Sequence, residues 1–205
     1  MTCETRAKDV LLKYYDENSD IFRLLWHHSC QVAEMAVGIA LNCEGKADAE
    51  FVYEAALLHD IGIFRTFAPK IFCNGTEPYI RHGLIGSELL KAEGMPRHAL
   101  VCERHTGAGL SREEIIAQNL PLPHQDMLPV SIEEKIICYA DKFFSKSSPD
   151  KIKTVKSIRR SMEKFGEGQL RRFDEMHALF GDKQPAPNEK YAKMLSGFGC
   201  MKENR

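Results

Sequence analysis

The tetrapeptide His59-Asp60-Ile61-Gly62 closes a predicted helix that begins near position 48 and ends at about position 61. Val52, Ala55, Ala56 and His59 follow the i, i+3, i+4, i+7 spacing and therefore share one face of that helix. The apolar face thus ends in an imidazole with a carboxylate beside it, and Gly62 is a typical helix stop. Because a lone histidine on such a face is more often a core residue than a ligand, the rest of the chain decides between the two.

Helical periodicity extends in both directions from this stretch. A first helix is predicted over about 4–17, and Ser19 is the predicted N-cap of a long second helix that ends near 42. Downstream, helices are predicted to start near His82, to run from Pro96 to about 105, and to follow capping boxes at Ser111 and Ser131, the last reaching about Phe144. No strand-like alternation of useful length occurs, so the fold is predicted to be all-α.

Two kinds of segment interrupt this helical pattern. Phe64–Tyr79 lacks periodicity and is too long for an ordinary connection, so it is either a lid or substrate loop or an irregular static loop. Beyond Pro149, two or three further helices are predicted to about Phe180, followed by a Pro185/Pro187 linker and a short tail helix. Basic residues outnumber acidic ones between 142 and 172, which indicates a solvated face or a surface for an anionic partner.

Composition excludes several classes of protein. The 205 residues are 43% hydrophobic and 28% charged with a net charge of -1, so no overall field favours nucleic acid or a membrane surface. No signal-peptide pattern and no apolar run near the ~18 residues of a membrane span occur. Seven scattered cysteines without a CxxC pair argue against a disulfide framework or a structural zinc site, and the expected compartment is the cytoplasm.

Six histidine and aspartate residues stand out because each lies on or at the end of a predicted helix, and most face an apolar stripe. They are His28, His59, Asp60, His82, His105 and Asp141. A carboxylate such as Asp141 at the edge of an apolar stripe is costly unless a cation meets it. Imidazoles and carboxylates without thiolates suit Fe, Mn, Ni, Co or Zn, and six side chains suffice for two ions bridged by a carboxylate.

The order of these residues resembles the HD superfamily of metal-dependent phosphohydrolases, in its HDIG subset. The similarity rests on the segments 28–33, 57–62, 82–86 and 133–142 and covers roughly 21–145. It implies an HD helical bundle in which His28, His59, Asp60 and Asp141 hold one divalent metal, while His82 and His105 hold a second that Asp60 bridges. It also implies that Asp60 is the central catalytic residue. The predicted organisation is an N-terminal helix over 1–20, the HD core over 21–145, and a C-terminal helical extension over 146–205 packed on the same domain.

Four basic residues near the predicted ligands are candidates for binding substrate phosphate; otherwise each is a surface charge. They are Arg65, Arg81, Arg104 and Lys142. HD-type cyclic dinucleotide phosphodiesterases usually carry a lysine after the HDIG glycine, whereas this chain has Ile63. That difference places the chain nearer the compact single-domain HDIG hydrolases.

The sequence therefore predicts a hydrolase that cleaves a phosphate ester or anhydride of a nucleotide or small phosphometabolite through a metal-activated water. A mixed-valent di-iron oxygenase of the same fold uses a similar ligand set and is the alternative. A regulatory module with a vestigial site is the third hypothesis, and the intact ligand set argues against it. The expected partner is a small anionic substrate rather than nucleic acid or membrane, and a homodimer is left open.

Overall fold

Ser19 is the N-cap of the longest helix among the described residues. Its hydroxyl accepts a hydrogen bond from the backbone N–H of Phe22, as the predicted N-cap requires. The computed structural model describes residues 3–149 and 151–183. Its α-helices are α1 Cys3–Leu11, α2 Asp20–Leu41, α3 Ala49–Leu58, α4 His82–Ala92, α5 Pro96–Arg104, α6 Arg112–Ala117, α7 Ile132–Asp141, α8 Val155–Glu163 and α9 Glu167–Phe180.

The all-α prediction is confirmed, because the strands of the described residues are two-residue segments. β1 Phe67–Ala68 and β2 Cys73–Asn74 pair antiparallel within the long loop after α3. α2 packs against α3 and α7, α4 packs against α5, and α7 also contacts α9. The main core includes Leu25, Val37, Leu57, Leu90 and Phe173, each with no exposed surface, and Ile115 of α6 belongs to a second, smaller cluster. None of the described helices combines the length and the apolar character that a bilayer crossing needs.

α3 ends three residues earlier than predicted, and this places the HD doublet in a break between helices. Asp48 caps the N-terminus through its side chain, but the helix ends at Leu58 and a 3-10 helix follows over Ile61–Arg65. Gly62 is not a helix stop with a left-handed backbone. An added Cβ there would lie 2.3 Å from the carbonyl oxygen of His82 and 2.5 Å from the amide nitrogen of Gly86. Gly62 is therefore required because α4 passes directly over it.

The other helix boundaries differ from prediction for local reasons. α1 ends at Leu11 rather than near 17, and turn hydrogen bonds such as Tyr15 N–H to the carbonyl of Leu11 follow it. The capping box at Ser111 is confirmed. At α7 the Ser131 hydroxyl caps the helix, but the Glu134 carboxylate accepts from Val130 N–H instead of closing the box, and the helix ends at Asp141.

The segment beyond α7 is in contact with the rest of the described chain. α8 and α9 pack on each other, and Tyr139 of α7 stacks on Phe173 of α9 with ring centroids 5.7 Å apart. The division into segments 1–20, 21–145 and 146–205 stays a prediction, and the predicted 185–187 linker and tail helix lie outside the described residues. Cys3, Cys43, Cys73, Cys102 and Cys138 are free thiols.

Candidate metal centre

All six predicted ligands meet at one place in the fold. Five of them are buried, and the Asp141 side chain is 14% exposed. Most come from the end of a helix, where a side chain can turn inward without crossing the next helical turn. His28 lies within α2, His59 and Asp60 follow α3, His82 begins α4, His105 follows α5, and Asp141 ends α7.

The two oxygens of Asp60 face two different pairs of histidines. Asp60 Oδ2 lies 2.9 Å from His59 Nε2 and 3.3 Å from His28 Nε2. Asp60 Oδ1 lies 3.4 Å from His82 Nε2 and 3.5 Å from His105 Nε2. Asp60 therefore stands between two sets of donors, which is the position of a bridging carboxylate.

Asp141 completes the first of these sets. Its Oδ1 lies 3.0 Å from His28 Nε2 and 3.5 Å from His59 Nε2. The donor atoms of His28, His59, Asp60 and Asp141 all lie within 4.8 Å of one another, and so do those of Asp60, His82 and His105. The centre thus consists of two overlapping donor sets that share Asp60.

Backbone carbonyls fix the tautomer of three of the four histidines. Nδ1 of His59, His82 and His105 contacts the carbonyl oxygen of the third residue before it in the chain, at 2.6, 2.7 and 2.8 Å respectively. Since a carbonyl only accepts, each Nδ1 carries a hydrogen, and the ring, when neutral, directs the lone pair of Nε2 toward Asp60. This arrangement is typical of metal-ligating histidines.

The hydroxyl of Tyr15 stabilises the turn at His59–Ile61, which carries two of the predicted ligands. It donates to the carbonyl oxygen of Ile61 at 2.7 Å, and the side chain is only 6% exposed. This contact joins the segment after α1 to the residue that follows Asp60. No local sequence pattern indicates this hydrogen bond.

The electrostatics of the centre are dominated by the two buried aspartates. Burial raises the pKa of Asp60, but His59 and Lys146 outweigh it and hold the pKa well below its usual range. Burial lowers the pKa of His59, yet Asp60 and Asp141 raise it to about 9. For His82 burial prevails and lowers the pKa to about 3. A metal ion at the first donor set would therefore displace a proton from His59.

Unsatisfied buried atoms show that these residues fit a metal. His59 Nε2 and Asp60 Oδ1 are buried and lack a well-formed hydrogen bond, whereas Asp60 Oδ2 has the ammonium of Lys146 as its contact. Leaving a buried polar atom without a partner costs about 1–3 kcal/mol, and cations in the two donor sets would satisfy His59 Nε2 and Asp60 Oδ1. The donors are imidazole nitrogens and carboxylate oxygens, which are the ligands of Fe, Mn, Ni, Co and Zn sites.

A cavity of about 560 Å³ opens beside the first donor set, with His28 and Asp141 in its wall. Near these two residues the wall is basic, with Lys142, Lys146 and Lys153. The remaining wall is largely apolar and includes Ile80, Leu110, Leu120, Ile158, Met162 and Phe165. Ala68, Lys70, Ile71 and Tyr79 also line it, so the loop over 64–79 forms part of the cavity.

The four basic residues predicted to bind substrate occupy different places. Lys142 lines the cavity, and its Nζ donates to Asp141 Oδ2 at 2.8 Å and to the carbonyl of His105 at 3.2 Å. Arg104 pairs with Glu134 at 3.0 Å, Arg81 pairs with Glu77 at 2.9 Å, and Arg65 is exposed beside the Phe64 ring. The structure therefore brings Lys142 to the cavity wall, and the three arginines are not among the lining residues.

Lys146 and Lys153 are cavity residues that sequence reasoning did not single out. Lys146 Nζ contacts Asp60 Oδ2, although it lies five residues beyond Asp141 in a segment without helical periodicity. Lys153 donates to the carbonyl of Phe144 at 2.9 Å. The excess of basic residues after 142 is the signal that points to them, but it does not distinguish inward from outward side chains.

The other four histidines lie outside both donor sets. His98 contacts Glu54 at 2.9 Å, His177 contacts the Tyr139 hydroxyl at 2.8 Å, and His124 is exposed. His27 is partly buried and belongs to neither donor set.

Several known proteins are similar to this chain. An uncharacterized protein from Methanocaldococcus jannaschii is 41% identical over 118 residues, which are 56% of this chain and 62% of that protein. The tRNA (cytidine(56)-2'-O)-methyltransferases of Thermoplasma volcanium and Picrophilus torridus are 34% and 37% identical over 153 and 155 residues, or 74% and 75% of this chain. The chain spans 39% of the length of each methyltransferase, so these relatives are much longer.

Among solved structures, the HD domain of the L. monocytogenes phosphodiesterase PgpH is 18% identical at a TM-score of 0.47, and 97% of this chain aligns with 96% of that domain. The same domain in complex with cyclic-di-AMP is 19% identical at the same TM-score, with 97% of each chain covered. The HD domain family model matches residues 25–145, which include all six clustered residues. The chain therefore belongs to the HD domain family.

Proposed function

We propose that this protein is a metal-dependent phosphohydrolase of the HDIG subset that cleaves a phosphate ester or anhydride of a nucleotide or small phosphometabolite. The observation that carries the proposal is the pair of buried donor sets that share Asp60 and border a cavity with a basic end. His28, His59, Asp60 and Asp141 would hold one divalent metal, and Asp60, His82 and His105 a second. Bound there, the metals would supply Lewis-acid activation of a water and of the phosphoryl group.

The residues around the centre have separate tasks in such a reaction. Asp60 supplies a negative charge between the donor sets, which offsets repulsion between two cations. Carbonyl contacts at Nδ1 keep His59, His82 and His105 in the tautomer that binds metal. Lys142 orients Asp141 through its 2.8 Å contact and retains a further N–H for a phosphoryl oxygen.

The shape of the cavity supports a small organic phosphate as the substrate. Its basic end lies beside Asp141, so an anionic group bound there meets the metal donors. The apolar wall formed by Leu110, Leu120 and Met162 would pack against an uncharged body such as a base or sugar ring and exclude water from it. A volume of about 560 Å³ is in the range of cavities that hold a ligand of this size.

The test is phosphate release from a panel of substrates after metal reconstitution. The panel contains nucleoside mono-, di- and triphosphates, a cyclic dinucleotide and sugar phosphates. It also includes an RNA oligonucleotide with a terminal phosphate, because two relatives bear the names of tRNA-modifying enzymes. We expect release that depends on added metal and is equal with and without oxygen.

His82→Ala and His124→Ala form a matched pair for this experiment. Both replace a histidine, but only His82 lies in a donor set, whereas His124 is exposed. We expect His82→Ala to lose phosphate release and His124→Ala to keep it. Iron in the purified protein with oxygen-dependent turnover and no phosphate release would instead identify the di-iron oxygenase.

A further inference from the structure

Lys146 is a largely buried cation in direct contact with Asp60, the carboxylate that both donor sets share. Its side chain is 10% exposed, and its ammonium contacts Asp60 Oδ2. It also interacts with the hydroxyl of Tyr79, whose ring stacks on His82 with centroids 4.8 Å apart. Both Lys146 and Tyr79 line the cavity. The lysine therefore lies where the donor sets meet the space for a substrate.

The ammonium of Lys146 and a metal in the first donor set would share one oxygen. Asp60 Oδ2 is the atom that also faces His59 Nε2 at 2.9 Å and His28 Nε2 at 3.3 Å. Lys146 forms an ion pair with the Asp60 carboxylate, and an ammonium with a carboxylate partner carries its positive charge at neutral pH. A protonated lysine has no lone pair to offer a metal, and the two cations repel each other at this distance.

We propose that Lys146 binds the phosphoryl anion of the substrate, and that it leaves Asp60 to do so when a divalent metal binds there. This inference rests on the proposed function. The lysine stem has four rotatable bonds, and the cavity adjoins it, so the ammonium can reach an anion beside the donor sets by a change of rotamer. Lys146 thus opposes metal binding and favours anion binding.

The neighbouring lysines have stronger reasons to stay in place. Lys142 is held by both Asp141 Oδ2 and the carbonyl of His105. Lys153 donates to the carbonyl of Phe144, and burial lowers its pKa. Among the basic residues of the cavity wall, Lys146 is the one in contact with the carboxylate shared by both donor sets.

The experiment measures two affinities without turnover. Lys146→Met keeps the length of the apolar stem and removes the charge, Lys146→Arg keeps the charge, and Lys156→Met makes the same change on the exposed side of α8. Each full-length protein is stripped with a chelator, and Mn²⁺ binding is measured by calorimetry. The affinity for inorganic phosphate is then measured with Mn²⁺ at saturation, with far-ultraviolet circular dichroism to verify folding.

We expect Lys146→Met to bind Mn²⁺ about tenfold more tightly, because the ammonium no longer repels the metal ion. We expect it to bind phosphate at least about tenfold more weakly, because the ammonium no longer donates to the anion. Lys146→Arg should retain phosphate binding, and Lys156→Met should match the unaltered protein in both affinities. Weaker Mn²⁺ binding by a folded Lys146→Met would mean that the lysine supports the site structurally. An unchanged phosphate affinity would also overturn the inference.

The two affinities separate this inference from the proposed function. If the unaltered protein binds Mn²⁺ and phosphate but hydrolyses nothing in the substrate panel, the proposed function fails while the opposite shifts of Lys146→Met are still expected. If the protein hydrolyses a phosphate substrate and Lys146→Met shows neither shift, the inference fails and the proposed function stands.

Discussion

Gly62→Ala tests how α4 is positioned over the HD turn. The new Cβ would lie 2.3 Å from the carbonyl oxygen of His82 and 2.5 Å from the amide nitrogen of Gly86. Ordinary contacts of this kind are 3.4–4 Å, and both neighbours are backbone atoms that cannot rotate away. α4 would therefore have to retreat by about 1 Å, in the manner of other overpacked cores.

The expected loss of stability in Gly62→Ala follows from these two overlaps. Overpacking in a dense core costs typically 1–3 kcal/mol, and two backbone clashes place this substitution at about 3 kcal/mol. For a chain of this size that loss corresponds to a fall in Tm of about 6–12 °C. Because His82 begins α4, the retreat would also widen the 3.4 Å distance from its Nε2 to Asp60 Oδ1. The protein should keep the metal at His28, His59 and Asp141 and lose the second one.

Thermal unfolding and metal analysis of the same samples measure both effects. Gly45→Ala is the matched control, since Gly45 has a φ of +77° and no atom within 4 Å of an added Cβ. It should cost about 1 kcal/mol of backbone strain and leave both metals bound. The reasoning is refuted if Gly62→Ala unfolds within 1 °C of the unaltered protein and retains two metals.

Two further predictions concern the elements that support the centre. Gln169→Leu removes an amide that accepts from Ala108 N–H at 2.7 Å and donates to the carbonyl of Gly109 at 2.6 Å. Because Arg172 also donates to the carbonyl of Gly109, only the Ala108 N–H is left unsatisfied, and urea unfolding should show a loss of about 1–3 kcal/mol. Burial raises the pKa of Glu54, but Arg6 and His98 outweigh it and lower the pKa from 4.5 to about 2. Since the pKa of Glu54 is lower in the folded state, the stabilisation is complete above pH 4.5 and is lost as the pH falls toward 2. The difference in unfolding free energy between the unaltered protein and Glu54→Gln should therefore shrink between pH 4.5 and pH 2.

The helices and the ligand cluster were predictable from the sequence because each depends on local rules. Ser19 and Asp48 are capping residues, and both caps are present in the structure. His28 and His59 interrupt apolar stripes. Burying an imidazole costs free energy unless polar partners surround it, so both residues indicate a cluster of polar side chains. Periodicity therefore places these side chains inward, although it gives no distances between them.

The end of α3 and the role of Gly62 were not predictable in the same way. The sequence pattern at Gly62 is equally compatible with a helix stop and with close packing. Only the path of α4, which brings the carbonyl of His82 against Gly62, distinguishes the two. A long-range approach of this kind leaves no mark on the local sequence.

The sequence was also a limited guide to which basic side chains line the cavity. Proximity in sequence favoured Arg65, Arg81 and Arg104, yet Arg104 pairs with Glu134 and Arg81 with Glu77. Lys146, which contacts Asp60, follows a turn after α7 whose direction depends on packing by α8 and α9. Of the four basic residues that sequence proximity favoured, Lys142 lines the cavity and the three arginines do not.

The most direct test of the whole account is the metal content of Asp60→Asn. The substitution keeps the size of the side chain but removes the negative charge and an oxygen that faces one pair of histidines. α3 is held by the packing of Val52, Ala55 and Ala56, each at most 1% exposed, so helicity by circular dichroism should be preserved.

Metal stoichiometry and phosphate release are measured on that folded variant and on the unaltered protein together. We predict that Asp60→Asn loses at least one of two metals and that its turnover falls by about 10³-fold or more, because the metals generate the nucleophile. A folded Asp60→Asn with two metals and near-normal phosphate release would contradict the assignment of Asp60 as the bridge between the two donor sets.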